Sequence, residues 1–105
     1  AIVFNTDISK WDVSSVTAMK RMFSWAQSFN SDISKWHVSR VTDMNAMFAH
    51  AKAFNSDISK WDVSSVTNMQ EMFANSPFNQ PIGNWNVSQV TTMKHSKLSL
   101  TINIE

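Results

Sequence analysis

The stretch FNSDISKWDVSSVTNMQEMF, residues 54–73, occurs a second time with few changes as FNSDISKWHVSRVTDMNAMF, residues 29–48. The same pattern returns toward both ends of the 105-residue chain, so that four copies follow one another at intervals of 25, 25 and 24 residues. Nine positions hold one residue type in all four copies: Phe, Asn, Ile, Trp, Val, Ser, Val, Thr and Met. A fixed period of this length is typical of tandem arrays in which each unit packs against its neighbours.

Each unit changes its apolar periodicity partway along. The segment ISKWDV, residues 58–63, ends in a Trp-x-Val alternation, which predicts a short strand with Trp61 and Val63 facing inward. The following SSVTNMQEMF repeats apolar residues at intervals of three, three and one, which predicts a helix. Ile58, Trp61 and Val63 also resemble the leading positions of the leucine-rich-repeat signature, although Val66 stands where that signature has Asn. The predicted fold class is a right-handed, leucine-rich-repeat-like α/β repeat solenoid, with one short parallel strand and one helix per 25-residue unit.

We expect a single solenoid domain, 1–105, and about four units, with bounds at 4–28, 29–53, 54–77 and 78–97. Residues 98–105 alternate strictly between apolar and polar side chains, which predicts a strand that caps the last unit or pairs with another chain. Because residue 1 falls inside a unit, we also expect the chain to be part of a longer array.

Composition narrows the classes of function. Nine Lys and Arg against eight Asp and Glu give a net charge of +1, so we expect no nucleic-acid partner. The absence of cysteine excludes disulfides, thiolate metal sites and cysteine nucleophiles. No apolar run approaches the ~18 residues of a membrane span. We therefore expect no cofactor, no transmembrane segment and no enzymatic activity.

The core W-D-V-S-S-V-T-x-M-x-x-M-F, residues 61–73, with F-N-x-D-I-S, residues 54–59, resembles the repeat of mycoplasma lipoproteins and BspA-like bacterial surface proteins, a DUF285-type family. The resemblance covers residues 4 to about 94. It implies a leucine-rich-repeat-like solenoid at the cell surface or in secreted form, with adhesion or partner binding as the suspected role. It carries over no catalytic residue.

Equivalent positions of successive units form columns, and the polar columns have both functional and structural interpretations. Repeated carboxylates can bind calcium. The glycines of calcium-binding loops are missing, however, and Pro81 replaces the aspartate in the fourth unit. We therefore expect each Asp to accept hydrogen bonds from N–H groups of its own turn. We expect the Asn column to form a buried ladder, and the Thr hydroxyls to bond locally rather than form an ice-binding face. The columns are Asp7, Asp32 and Asp57; Asn5, Asn30, Asn55 and Asn79; and Thr17, Thr42, Thr67 and Thr91.

The positions of the histidines and methionines do not predict a metal, catalytic or binding site. His37, His50 and His95 fall in different columns, so we expect surface substitutions rather than a convergent zinc or catalytic site. The seven methionines recur at helical spacing beside Phe and Val, which favours a place in the core over a binding surface.

Repeat proteins bind through side chains that vary while the inward columns stay fixed. The outward positions of the predicted strands form a polar face of mixed charge, which could equally be only a solvated surface. Trp25 is expected at the exposed end of a predicted helix, where an indole is a favourable contact residue. The candidate partner-binding face consists of Lys10, Asp12, Lys35, His37, Lys60, Asp62, Asn84, Asn86 and Trp25.

These features favour a non-enzymatic repeat module of a surface protein that mediates protein–protein interaction or adhesion, with a host surface component as the expected kind of partner. The alternative is a structural spacer or self-associating scaffold without a specific ligand. In that case the open ends of the solenoid would stack or residues 98–105 would pair with a second chain. A strict monomer at high concentration would disfavour the alternative.

Overall fold

A computed structural model of the chain describes residues 7–80 and 82–96. The start of the first unit, with Phe4 and Asn5, lies outside these residues, and so does the predicted strand at 98–105. The division into one domain with four units stays a prediction.

Successive units lie side by side in register. Their backbones pair at one position per unit through isolated parallel bridges, each joining residues that are equivalent in the repeat. Because every unit repeats the same bonding, the register is preserved through the one-residue shortening before the fourth unit. The bridges join Ala18 to Asp43, Asp43 to Asn68, and Asn68 to Thr92.

Residues 7–80 and 82–96 contain no helix and no strand longer than these single bridges. The prediction of a right-handed, leucine-rich-repeat-like α/β solenoid with a strand and a helix in each unit is therefore wrong. The parallel pairing also lies elsewhere than predicted. It falls at Asn68, within the expected helix, and not in the expected strand at 58–63.

Two tight turns replace the expected strand. The Trp61 N–H donates to the Ile58 carbonyl at 3.1 Å, and the Val66 N–H donates to the Val63 carbonyl at 3.0 Å. These bonds between residues three apart define β-turns, which a continuous strand cannot contain. The Trp-x-Val alternation nevertheless marks the buried positions correctly, because Trp61 and Val63 are both buried.

A run of turns also replaces the expected helix. In the third unit the Met72 N–H donates to the Met69 carbonyl of the same unit at 3.2 Å. The N–H groups of Met69 and Glu71 instead donate to carbonyls of the next unit, those of Thr92 and Lys94, both at 2.9 Å. N–H groups thus alternate between a local turn and the neighbouring unit, unlike the uniform local bonding of an α-helix. Apolar residues three apart suit this run of three-residue turns as well as a helix.

Two residues in each fully described unit have left-handed backbone angles that interrupt a helix. In the third unit φ is 59° at Glu71 and 54° at Asn75. This conformation costs a non-glycine residue roughly 1–2 kcal/mol. The non-glycine positions with positive φ are Arg21, Trp25, Ala46, His50, Glu71, Asn75 and His95.

Close stacking of aromatic rings explains why the strained turns are preferred over helices. Packed helices lie about 8–10 Å apart. Here the rings of Phe48 and Phe73, in successive units, have centroids 5.5 Å apart, and those of Trp36 and Trp61 are 6.5 Å apart. Helices would not fit at this spacing, whereas turns whose N–H groups reach the next unit do.

Phe and Met side chains fill the interior. Phe48 stacks on Phe54 of the next unit at 4.0 Å with 6° between the ring planes, and Phe29 lies 5.8 Å from Phe54. The prediction that methionines belong to the core is confirmed for most of them, while Met22 is 38% exposed. The buried methionines are Met19, Met44, Met47, Met69 and Met72.

The tryptophan column joins each unit to the one before it. Trp36 and Trp61 are each 4% exposed, and their rings are parallel to within 2°. Each indole N–H donates to an Ile carbonyl of the preceding unit, which satisfies the one polar atom of a buried tryptophan. These bonds are Trp36 to Ile8 at 3.1 Å, Trp61 to Ile33 at 2.9 Å and Trp85 to Ile58 at 3.1 Å.

Candidate interaction surface

The first aspartate column closes a turn in three units. Each carboxylate accepts the backbone N–H of the serine two residues later, which is an Asx turn. The distances are 3.0 Å for Asp7 and Ser9, 3.0 Å for Asp32 and Ser34, and 2.9 Å for Asp57 and Ser59. The interpretation of these residues as turn formers is confirmed. Hydrogen bonding by the serines holds the pKa of all three exposed carboxyls below its ordinary value.

A second Asx turn follows in the first and third units. The Asp12 carboxylate accepts the Ser14 N–H at 3.0 Å and the Ser14 hydroxyl at 2.6 Å. The hydroxyl is the main cause of a lowered Asp12 pKa, and the nearby His37 lowers it further. Asp62 makes the same two bonds to Ser64, and its pKa is lowered for the same reason.

The three lysines of the predicted face form an exposed row beside the first aspartate column. Two adjoining clefts follow the row, of about 420 and 190 Å³, and both include Asp32 and Lys35. The larger also contains Asp57 and Lys60, and the smaller contains Lys10. Within the described part of the chain these lysines form no hydrogen bond or ion pair.

Trp25 lies on a different surface feature. It is 49% exposed, and its indole stacks on the His50 ring with centroids 3.8 Å apart and 8° between the planes. Both residues have left-handed backbone angles, of 64° and 59°, which fix the direction of the two side chains. Trp25 lines neither cleft of the lysine row. The structure therefore places the three lysines of the predicted face beside the first aspartate column, and Trp25 apart from them in a pair with His50.

The remaining residues of the predicted face are exposed but form no cluster with either group. Asn84 and Asn86 lie in the fourth unit, where the Asn86 amide oxygen accepts the Ser88 N–H at 3.1 Å. His37 is exposed in the column otherwise held by Asp12, Asp62 and Asn86. It interacts electrostatically with Asp12.

Two of the three histidines share a surface cleft. His50 and His95 line one cleft of about 420 Å³ together with Glu71 and Asn75. They belong to different repeat columns, and alignment of the columns does not show that the two side chains line one cleft. Among residues 7–80 and 82–96 there is no group of three or more His, Cys, Asp or Glu placed to hold a metal ion.

The asparagine column forms the predicted ladder between units. The Asn30 amide oxygen accepts the Asn55 N–H at 2.8 Å, and the Asn55 oxygen accepts the Asn79 N–H at 3.0 Å. The predicted burial is wrong, because all three residues are exposed. Backbone bonding across units, rather than interior packing, is what these amides supply.

The threonine hydroxyls also bond across units, not locally as predicted. The Thr42 hydroxyl donates to the Thr17 carbonyl at 3.3 Å, and the Thr67 hydroxyl donates to the Thr42 carbonyl at 3.2 Å. The Thr91 hydroxyl continues the series to Thr67 at 3.1 Å. The absence of a helix leaves these hydroxyls no i−4 carbonyl and directs them to the preceding unit.

Within the part of the chain that the structure describes, no helix has the length and apolar character needed to cross a membrane. Comparisons with curated proteins and with solved structures give no match. One family model, described as "Mycoplasma protein of unknown function, DUF285", matches residues 1–100, which confirms the resemblance seen in the repeat. The chain therefore belongs to the DUF285 family, which is described as a mycoplasma protein family of unknown function.

Proposed function

We propose that this chain is a non-enzymatic repeat module of a surface or secreted protein that binds a protein partner, such as a host surface component. The observation that carries the proposal is the exposed indole of Trp25, held flat against His50. Large aromatic side chains that are held in place before binding are the usual energetic centres of protein interfaces, because they bury much area at little entropic cost.

The use of the repeated side chains supports a non-enzymatic role. Indole N–H groups bind Ile carbonyls, threonine hydroxyls bind threonine carbonyls, and asparagine oxygens bind the N–H of the next unit. These recurring atoms of Trp, Thr and Asn are thus engaged in holding units together. Trp25 and His50, by contrast, occupy a column that differs from unit to unit, where Asn75 is the third member.

Binding of the labelled chain to cultured host cells tests the proposal. Because the chain has no cysteine, the label is placed on the N-terminal amine. We expect saturable binding that Trp25→Ser weakens by about tenfold or more, as for a central aromatic contact. Trp11→Ser is the matched control, since Trp11 is also about half exposed, at 52%, but has no stacked histidine partner.

Pretreating the cells with protease distinguishes a protein receptor from other surface components. Loss of saturable binding after proteolysis supports a protein partner, and persistence contradicts it. Equal binding by the wild-type chain and the Trp25 variant, or equal losses in the Trp25 and Trp11 variants, would overturn the assignment of Trp25.

A further inference from the structure

We propose that the lysine–aspartate surface is a docking face for a second copy of this chain, in a parallel two-fold dimer in which each lysine row faces the partner's aspartate row. The surface is defined by Asp7, Asp32, Asp57, Lys10, Lys35 and Lys60. It is distinct from the Trp25–His50 pair, so the inference goes beyond the proposed function and does not depend on it.

The two rows run side by side along the stacked units. Each lysine acts electrostatically on the aspartate three positions before it, and the three lysines line two adjoining clefts together with Asp32 and Asp57. Rings in successive units are 5.5–6.5 Å apart, which sets the approximate spacing within each row. The surface therefore presents equal numbers of positive and negative charges with a common period.

Neither row is neutralised by direct contact with other residues of 7–80 and 82–96. In the described residues the three lysines form no ion pair, and each aspartate uses only its Oδ1 atom to bind its serine. Like charges repel along the aspartate row. The pKa of Asp57 is lowered by its hydrogen bonds to Ser59, and the negative charge of Asp32 acts in the opposite direction. A counter-row of ammonium groups would relieve this repulsion.

Two-fold symmetry makes the surface complementary to itself. A rotation about an axis that lies between the rows, parallel to them, places the lysine row of one copy opposite the aspartate row of the other. The same operation pairs the remaining two rows, so six ion pairs form in one isologous interface. A polyanion fits less well, because the aspartate row cancels the field of the lysine row.

Sedimentation velocity of the full chain at two salt concentrations is the first test. We expect a monomer–dimer equilibrium whose association constant falls about tenfold or more between about 0.01 M and 0.15 M salt, where the screening length shortens from about 30 Å to 8 Å. Even weak exposed pairs give this factor when six act together. A strict monomer at the lower salt concentration, or species that grow beyond the dimer as in end-to-end stacking, would overturn the proposal.

Charge reversal of the lysine row is the second test, with a control of equal net charge elsewhere. We expect the row variant to be monomeric at low salt and the control to dimerise like the wild type. Equal loss in both would show a net-charge effect and overturn the proposal. The row variant carries Lys10→Glu, Lys35→Glu and Lys60→Glu. The control carries Lys20→Glu, Arg40→Glu and Lys94→Glu, at three exposed positions outside the row.

A mixing experiment tests complementarity and covers the case that charge reversal harms folding. The triple variant Asp7→Asn, Asp32→Asn and Asp57→Asn keeps the Asx turns, as Asn86 shows in the second column, but leaves a purely positive face. Alone it should be monomeric; mixed with the glutamate row variant it should form a heterodimer. Self-association of the asparagine variant at the wild-type level would contradict the proposal. Trp25→Ser should leave dimerisation unchanged, which separates this result from the proposed function.

Discussion

Trp11 and Trp61 occupy the same position of the repeat, yet Trp11 is 52% exposed and Trp61 is 4% exposed. Met22 and Met72 differ in the same way, at 38% and 0%. The third unit lies between two described neighbours, whereas within residues 7–80 and 82–96 the first unit has only the second beside it. Burial here is thus a property of the neighbours, and each unit depends on those next to it for its stability.

The largest effect should come from truncating tryptophan at the two positions. Trp61→Ala removes a stacked ring and leaves the Ile33 carbonyl without its indole donor. We expect the free energy of unfolding to fall by roughly 3–5 kcal/mol, whereas Trp11→Ala should cost about 1 kcal/mol. Urea denaturation followed by circular dichroism measures both. Equal losses would contradict the dependence of burial on two neighbours.

Methionine truncation repeats the comparison without a hydrogen bond. Met72→Ala opens a cavity at a fully buried site, which should lower the free energy of unfolding by roughly 2–4 kcal/mol. Met22→Ala should lower it by less than about 1 kcal/mol, because solvent already reaches that side chain. Thermal unfolding of the two variants under one buffer condition gives the difference. A Met22 loss as large as the Met72 loss would show that exposure does not set the cost.

The repeat and its buried positions could be predicted from the sequence, whereas the secondary structure could not. Apolar spacing marks Trp61, Met69 and Met72 as inward, and all three are buried. The same spacing fits a helix or a run of turns. Turns form instead of a helix because N–H groups bond to a unit about 25 residues away and because residues such as Glu71 have left-handed backbone angles. No glycine in the sequence marks these left-handed positions.

The candidate site was likewise predictable only in part. Outward alternation identified Lys35 and Asp62 as exposed, and the single Trp25 stood out in its variable column. The stacking of Trp25 on His50, and the cleft that His50 and His95 both line, depend on the path of the turns. Column alignment alone does not give that path.

Backbone strain should not differ between the first and third units, in contrast to burial. Arg21 and Glu71 have φ angles of 57° and 59°, and both side chains are exposed. Arg21→Gly and Glu71→Gly should therefore each raise the free energy of unfolding by up to about 1 kcal/mol, since glycine adopts this conformation without steric cost. Lys20→Gly, one position earlier in the same turn and without positive φ, should lower it by about 0.5–1 kcal/mol. Chemical denaturation of the three variants decides whether the left-handed angles are strained.

The smallest effect concerns the Asx turns, which are also alike in the two units. Asp7 and Asp57 have pKa values lowered by their serine bonds, so each ionised carboxylate stabilises the fold above the unfolded-state pKa of about 3.9. That contribution is lost as pH falls through the lower folded-state pKa. Asp7→Asn and Asp57→Asn keep an acceptor without a titration, so both should flatten the acid side of the stability profile to a similar extent. Urea midpoints measured from neutral pH to below pH ~3 test this. An unchanged acid slope in both variants would show that the turns do not couple stability to protonation. A change in the Asp57 variant alone would mean that the contribution of an exposed turn also depends on the neighbouring units.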